Sequence, residues 1–171
     1  MGTAMKLKSF LFLATLLAAI APSASFAQSD AKILTVSGKI AKTNTPDGKY
    51  VFSFAELQKL GDTTIKSTTR YTEKGDFTGP KIRDILKAVG VKPDATAVSV
   101  KALDGYQQTI PLTDFSKWEV IAAHSLNGKR LPIEAKGPLW IMYPIEKYPA
   151  DLENNATTMK LVWSLTGLVV Q

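Results

Sequence analysis

FTGPKIRDILKAVG, residues 77–90, is the stretch that decides how this chain folds. Thr78 is placed to cap a helix, and Pro80 suits a helix's first turn. Ile82, Ile85, Leu86 and Val89 follow at i, i+3, i+4 and i+7, and Gly90 supplies a stop. The spacing predicts a short amphipathic helix with one apolar stripe. A single stripe is covered by laying it on a sheet, so the flanking sequence is expected to supply strands.

It does so on both sides. Upstream, Ile33–Ile40 has β-favouring residues in partial alternation, Thr45-Pro46-Asp47-Gly48 signals a turn, and Tyr50-Val51-Phe52 leads back into order. Ser53 and Glu56 fit a capping box for a short helix over Phe54–Leu60, stopped by Gly61. Thr63–Thr72 is polar but β-branched, and reads as a strand or an extended loop.

Downstream the pattern is β. Ala97–Leu103 alternates, Asp104-Gly105 is a tight turn, and Tyr106–Ile110 returns. Glu119–Leu126 runs into Asn127-Gly128, a hairpin signal, and Lys129–Ile133 returns. GPLWIMYP (137–144) reads as a short apolar strand around one tryptophan. Lys147–Thr157 reads as a polar loop and Met159–Val170 as a long apolar closing strand that buries Trp163. There are no repeats and no linker long enough to divide the domain. The expectation is a single α+β domain, strand-rich, with two short helices.

The first residues carry a different pattern. Met5-Lys6-Leu7-Lys8 is a short basic region, Phe10–Ala21 is almost wholly apolar, and Ser25-Phe26-Ala27 offers small residues at a cleavage site. The apolar run is short for a bilayer span. A cleaved signal peptide over residues 1–27 is therefore expected, with an exported mature domain over 28–171. Loss of Lys6 and Lys8 would take the formal charge from +6 to +4. The remaining lysines are scattered among acids with no basic stripe, so nucleic acid is not an expected partner.

The chain has no cysteine. An exported domain without disulfides depends on core packing, and no thiolate is available as nucleophile, redox group or soft metal ligand. His124 is the only histidine and lies on an expected strand, where it reads as a partly buried packing residue rather than a catalytic one. No zinc-ligand pair, calcium loop or glycine-rich phosphate loop is present in the sequence.

An ordered set of short motifs carries more. Phe77-Thr78-Gly79-Pro80, Leu103-Asp104-Gly105-Tyr106, Ala122-Ala123, Asn127–Pro132, Gly137-Pro138-Leu139, Tyr143-Pro144 and Lys160–Leu165 occur in sequence. In order and spacing they resemble the molybdopterin-binding domain of the sulfite oxidase family, over about residues 60–170. The resemblance implies a strand-rich sulfite-oxidase-type fold. It also marks departures. The family's redox enzymes ligate molybdenum through a cysteine before the first amphipathic helix, and the corresponding stretch here, Ser67-Thr68-Thr69-Arg70-Tyr71, has none. Where those enzymes place a cofactor-holding arginine after the Gly-Pro motif, this chain has Trp140. The basic residues that grip the cofactor phosphate are not evident around Val162-Trp163.

These departures imply a pterin ligand without molybdenum and without oxidoreductase chemistry. Trp140 is expected to be its stacking surface, an interaction of about 1–3 kcal/mol for a base-like ring. Arg70 can donate to the ring's oxo group, and Glu73, Asp104 or Asp151 can accept from its amino-pyrimidinone edge. Tyr71 and Tyr106 are further candidate contacts. The sequence is also similar to a branch of small exported pterin-binding regulators, which share the Gly-Pro-Leu-Trp-Ile-x-Tyr-Pro stretch and lack cysteine. That similarity implies a partner: the periplasmic region of a membrane protein with cytoplasmic cyclic-di-GMP domains. The competing readings are a molybdopterin-dependent oxidoreductase that lacks the cysteine ligand, and an interaction module with no small ligand.

Overall fold

The computed structural model describes residues 1–2 and 31–171, so the expected signal segment lies, beyond its first two residues, outside the described part. The domain is built on a five-stranded sheet. Its members are β1 (Lys32–Gly38), β2 (Tyr50–Ser53), β5 (Ala97–Ala102), β6 (Gln107–Pro111) and β11 (Leu165–Val170), in the order β2-β1-β11-β5-β6. Only the β1–β11 pair is parallel, with Thr35 opposite Gly167 and Gly38 opposite Val170. The last strand is thus the central one, between β1 and β5.

A second, antiparallel sheet joins β3 (Asp62–Thr69), β4 (Thr72–Pro80), β8 (Ser125–Leu126) and β9 (Lys129–Arg130). A two-stranded ribbon pairs β7 (Ile121–Ala123) with β10 (Trp140–Met142), placing Trp140 opposite Ala123. The stretch expected as one strand over Glu119–Leu126 is divided at His124, whose amide turns to the Thr78 carbonyl at 2.9 Å. Gly79 makes this crossing possible. A Cβ there would fall well inside contact of the Ala122 carbonyl oxygen, so β4 and β7 approach more closely than a side chain allows.

Helix α1 (Phe54–Lys59) has the expected capping box: the Glu56 amide donates to Ser53 Oγ at 3.2 Å, and the Ser53 amide donates to Glu56 Oε2 at 2.7 Å. Helix α2 (Ile82–Val89) buries Ile82, Ile85, Leu86 and Val89, the predicted stripe, and ends at Gly90 with φ +65°. Its start differs from the expectation. Thr78-Gly79-Pro80 belongs to β4, and the cap position is Lys81, with no side-chain bond. Sheet pairing explains the shift, because Thr78 pairs with Thr64 and Ser125 and its hydroxyl lies 2.8 Å from that of Thr64. The threonine is already committed to the sheet.

Three further short helices were not expected: α3 (Leu112–Lys117), α4 (Pro149–Leu152) and α5 (Asn155–Lys160). The last two occupy the stretch read as a polar loop. Asn154 caps α5 by accepting from the Thr157 amide at 2.9 Å. Met159 and Lys160 therefore end a helix rather than begin a strand, and Trp163 lies in the link before β11. One continuous core runs through all the layers, from Leu34 and Val36 on β1 to Ile85 on α2, Phe77 on β4 and Ile141 on β10. No helix among the described residues is long and apolar enough to cross a membrane.

Candidate functional site

Three chain segments meet at one end of the sheets. The first is the turn between β3 and β4, held by Thr69: its Oγ1 lies 2.9 Å from Thr72 Oγ1 and accepts from the Tyr71 amide at 3.0 Å. That turn lifts Arg70 and Tyr71 outward. The second is the β5–β6 turn, where Asp104 Oδ1 accepts from the Tyr106 amide at 3.0 Å and Gly105 takes φ +89°. The third is α5 with the Leu161–Trp163 link. Tyr106 ties the second to the third by donating its hydroxyl to the Met159 carbonyl at 3.1 Å.

Between them lies a cleft of about 520 Å³. Small-molecule sites occupy about 300–1,000 Å³, so the space suits a compact ligand. Arg70 and Asp104 are its only charged lining residues; Tyr71, Tyr106, Asn155 and Trp163 contribute most of its remaining chemistry. Tyr71 and Tyr106 are 54% and 43% exposed, unusually open for aromatic side chains. The Tyr71 ring stands edge-on to Trp163, with centroids 5.1 Å apart and planes at 87°. Trp163 is half-buried and lines the cleft beside Tyr71.

Four sequence candidates, Arg70, Tyr71, Asp104 and Tyr106, are brought together here. Trp140 is not in the lining. It is 1% exposed, with Nε1 donating to the Leu161 carbonyl at 3.0 Å, and is packed edge-on against Phe77 and Trp163. β10 pairs with β7 and lies under the link, where the Ile141 amide donates to the Val162 carbonyl at 2.9 Å. The indole open to the cleft is Trp163, expected as a core residue and found half-buried on the link. Glu73 is exposed on β4 and Asp151 is exposed on α4, both outside the lining.

The surroundings are structural. Tyr143 is buried and donates its hydroxyl to Asp114 Oδ2 at 2.7 Å, and Lys160 Nζ reaches the same oxygen at 2.7 Å. Burial, reinforced by that carboxylate, pushes the Tyr143 phenol far above its ordinary range. This triad clamps the end of α5 to α3 behind the cleft. His124 is buried, with Nε2 3.0 Å from Asp62 Oδ2 and its ring edge-on to Phe54, consistent with a packing role. Ser67, at the start of the stretch aligned with the redox enzymes' metal loop, is buried and bonded to the Tyr143 carbonyl at 2.7 Å.

Asn155, Thr158, Met159 and Trp163 also line the cleft and are not singled out by the sequence, where Asn155 falls in the stretch expected as a loop and Met159 and Trp163 in the expected closing strand. The Asn154 cap was the available signal.

The oxidoreductase molybdopterin binding domain family matches this chain over residues 53–146. The chain belongs to that family. Among solved structures, the sulfane dehydrogenase SoxCD from Paracoccus pantotrophus is similar, with 17% identity and a TM-score of 0.64. The match covers 83% of this chain and only 38% of the other, so it concerns the fold of one part of a larger protein. No curated protein matches the sequence.

Membership of the molybdopterin-binding family raises the question of what the cleft can hold. A pterin ring needs a flat face and polar groups at its edge, and Trp163, Arg70, Asp104 and Asn155 offer these. A terminal phosphate would meet one lining cation, Arg70. A soft metal would find no protein thiolate, since the chain has no cysteine. Among the described residues no cluster of three or more His, Asp or Glu side chains could hold a metal ion. The lining residues offer stacking and hydrogen-bonding groups that an organic ring can use, and no thiolate is among them.

Proposed function

We propose that this domain is a pterin receptor that works by binding rather than by catalysis. The observation that carries the reading is the cleft itself: a half-buried indole, two exposed tyrosines, one guanidinium and one carboxylate, with no thiolate. The pterin lies on the Trp163 face. Arg70 donates to its oxo group, and the free Oδ2 of Asp104 accepts from its amino-pyrimidinone edge while Oδ1 holds the turn. Asn155 can serve either polarity.

Occupancy then becomes legible at the surface. Arg70, Tyr71, Tyr106 and Met159 all line the cleft and are all exposed, so ordering them on a ligand changes the face a partner sees. The resemblance to exported pterin-binding regulators supports a location in the periplasm and a partner in the periplasmic region of a membrane-bound cyclic-di-GMP regulator. The basic and apolar pattern of residues 5–27 supports export through a cleaved signal peptide.

The test is to purify the full chain from a molybdenum-replete host and analyse what accompanies it. A fluorescent pterin released on denaturation, without molybdenum, is the expected result. Stoichiometric molybdenum would overturn the reading in favour of an oxidoreductase.

A further inference from the structure

Beside the ligand cleft runs a second concavity, of about 500 Å³, with a different character. Its floor and walls are apolar, formed by Ile33, Leu103, Leu131, Pro132, Ile133 and Pro138. Leu103 and Ile133 are 62% and 58% exposed. The other large hydrophobic side chains left exposed, apart from Met1, are Tyr71, Tyr106 and Met159 at the ligand cleft. Every such residue from 31 onward therefore lies in one of two adjoining hollows. Solitary exposed apolar residues are ordinary on a surface, whereas a gathered set marks an interaction site.

The groove also has a charge. Its only ionised lining residues are Lys32 and Arg130, both cationic, and no carboxylate lines it. Lys32 Nζ forms a long ion pair with Glu56 Oε2 at 3.8 Å, so Arg130 is the lining cation without a carboxylate partner among the described residues. Arg130 lies flat over the Phe54 ring, 3.5 Å from its centroid. Burial lowers the Arg130 pKa from its ordinary value. A guanidinium lining the groove can donate to a carboxylate that enters it.

The two hollows share a wall. Leu103 faces the groove, while Asp104 and Tyr106, in the same turn, face the cleft. On the facing segment Trp163, in the link, lines the cleft and Thr166, on β11, lines the groove, and the Leu103 amide donates to the Ser164 carbonyl between them at 2.9 Å. A ligand that orders the turn is thereby connected to the groove.

We propose that this groove docks an extended acidic segment of a partner protein, with an aliphatic side chain on Leu103 and Ile133 and a neighbouring carboxylate on Arg130. The proposal rests on the pterin reading only for the identity of the ligand that modulates docking. Short overlapping peptides spanning the periplasmic regions of the source organism's membrane-bound regulators serve as the probe. The bound peptides carry an Asp or Glu next to an aliphatic residue. Arg130→Glu and Ile133→Asp each reduce their affinity at least ~10-fold, a loss typical of a desolvated charge pair or a central apolar anchor. Replacing the peptide's acid by lysine restores binding to Arg130→Glu. Pterin changes peptide affinity, and by linkage the peptide changes pterin affinity by the same factor.

Absence of acidic peptide binding, or binding indifferent to both substitutions, would overturn the proposal. So would self-association of the protein that Ile133→Asp abolishes, which would give the groove to a second copy. Peptide binding by a protein that takes up no pterin would leave the groove standing and remove the pterin reading; pterin uptake without peptide binding would do the reverse.

Discussion

The Trp140 indole donates to the Leu161 carbonyl at 3.0 Å and meets the Trp163 ring edge-on, with centroids 6.3 Å apart. One tryptophan therefore holds the backbone that presents the other. The division of labour is visible in their exposure: Trp140 is sealed in the core and Trp163 is half-open to the cleft.

Truncating the two should separate stability from binding. Trp140→Ala removes a buried indole with its hydrogen bond, and is expected to cost about 3–5 kcal/mol in urea unfolding. Trp163→Ala removes a partly solvated ring and should cost under about 2 kcal/mol, while weakening pterin binding. Equal destabilisation by both would refute the assignment of the cleft wall.

The polar pair in the cleft can be tested without disturbing its turn. Asp104→Asn keeps a side-chain oxygen to accept from the Tyr106 amide but loses the charge offered to the ligand. Loss of a charge-assisted hydrogen bond of about 1.5–3 kcal/mol corresponds to a pterin affinity reduced about 10- to 150-fold, readable by calorimetry. The melting temperature should stay close to that of the parent protein. An unchanged affinity would remove Asp104 from the site.

Tyr143 gives a pH signature. Its phenol is raised above the ordinary value of 10.0 by burial and by Asp114. The unfolded chain then loses this proton first as pH rises, so the native state binds more protons and stability falls above about pH 10. The slope contributed is about 1.4 kcal/mol per pH unit for one such group. Tyr143→Phe should be less stable at neutral pH by about 1 kcal/mol and should lose that part of the alkaline decline. Urea midpoints measured from pH 8 to 11 would show parallel curves if the phenol played no part.

Gly79→Ala probes the crossing of the sheets. A methyl there meets the Ala122 carbonyl and lies 2.9 Å from the Ala123 Cα, so β4 must withdraw from β7. Overpacking of this kind costs about 1–3 kcal/mol, which a thermal melt would register as a clear drop in Tm. No change would mean that the two strands are farther apart than described.

Much of this architecture was legible in local pattern. The Ile82–Val89 stripe and the Ser53–Glu56 capping box are short-range signals, and both formed where the spacing placed them. The errors came where long-range contacts decide. Thr78 looks like a cap, yet cross-strand pairing with Thr64 and Ser125 claims it for β4. Helices of four and six residues, such as α4 and α5, are too short for periodicity to register, and tertiary contacts such as Lys160 with Asp114 hold α5. At the cleft, the Asp104-Gly105 turn was legible in the sequence, and it brings Asp104 and Tyr106 into the lining. An apolar run around a tryptophan reads the same whether it forms core or ligand wall, so Trp140 and Trp163 exchanged their expected places.

The most direct test is an equilibrium fluorescence titration of a pterin into the parent protein, Trp163→Ala and a folded Trp140→Phe. The account predicts saturation at one pterin per chain for the parent and for Trp140→Phe, with affinity about 5- to 150-fold weaker for Trp163→Ala, matching the loss of about 1–3 kcal/mol of stacking. Parent-like affinity in Trp163→Ala, or loss of binding only in Trp140→Phe, would contradict it.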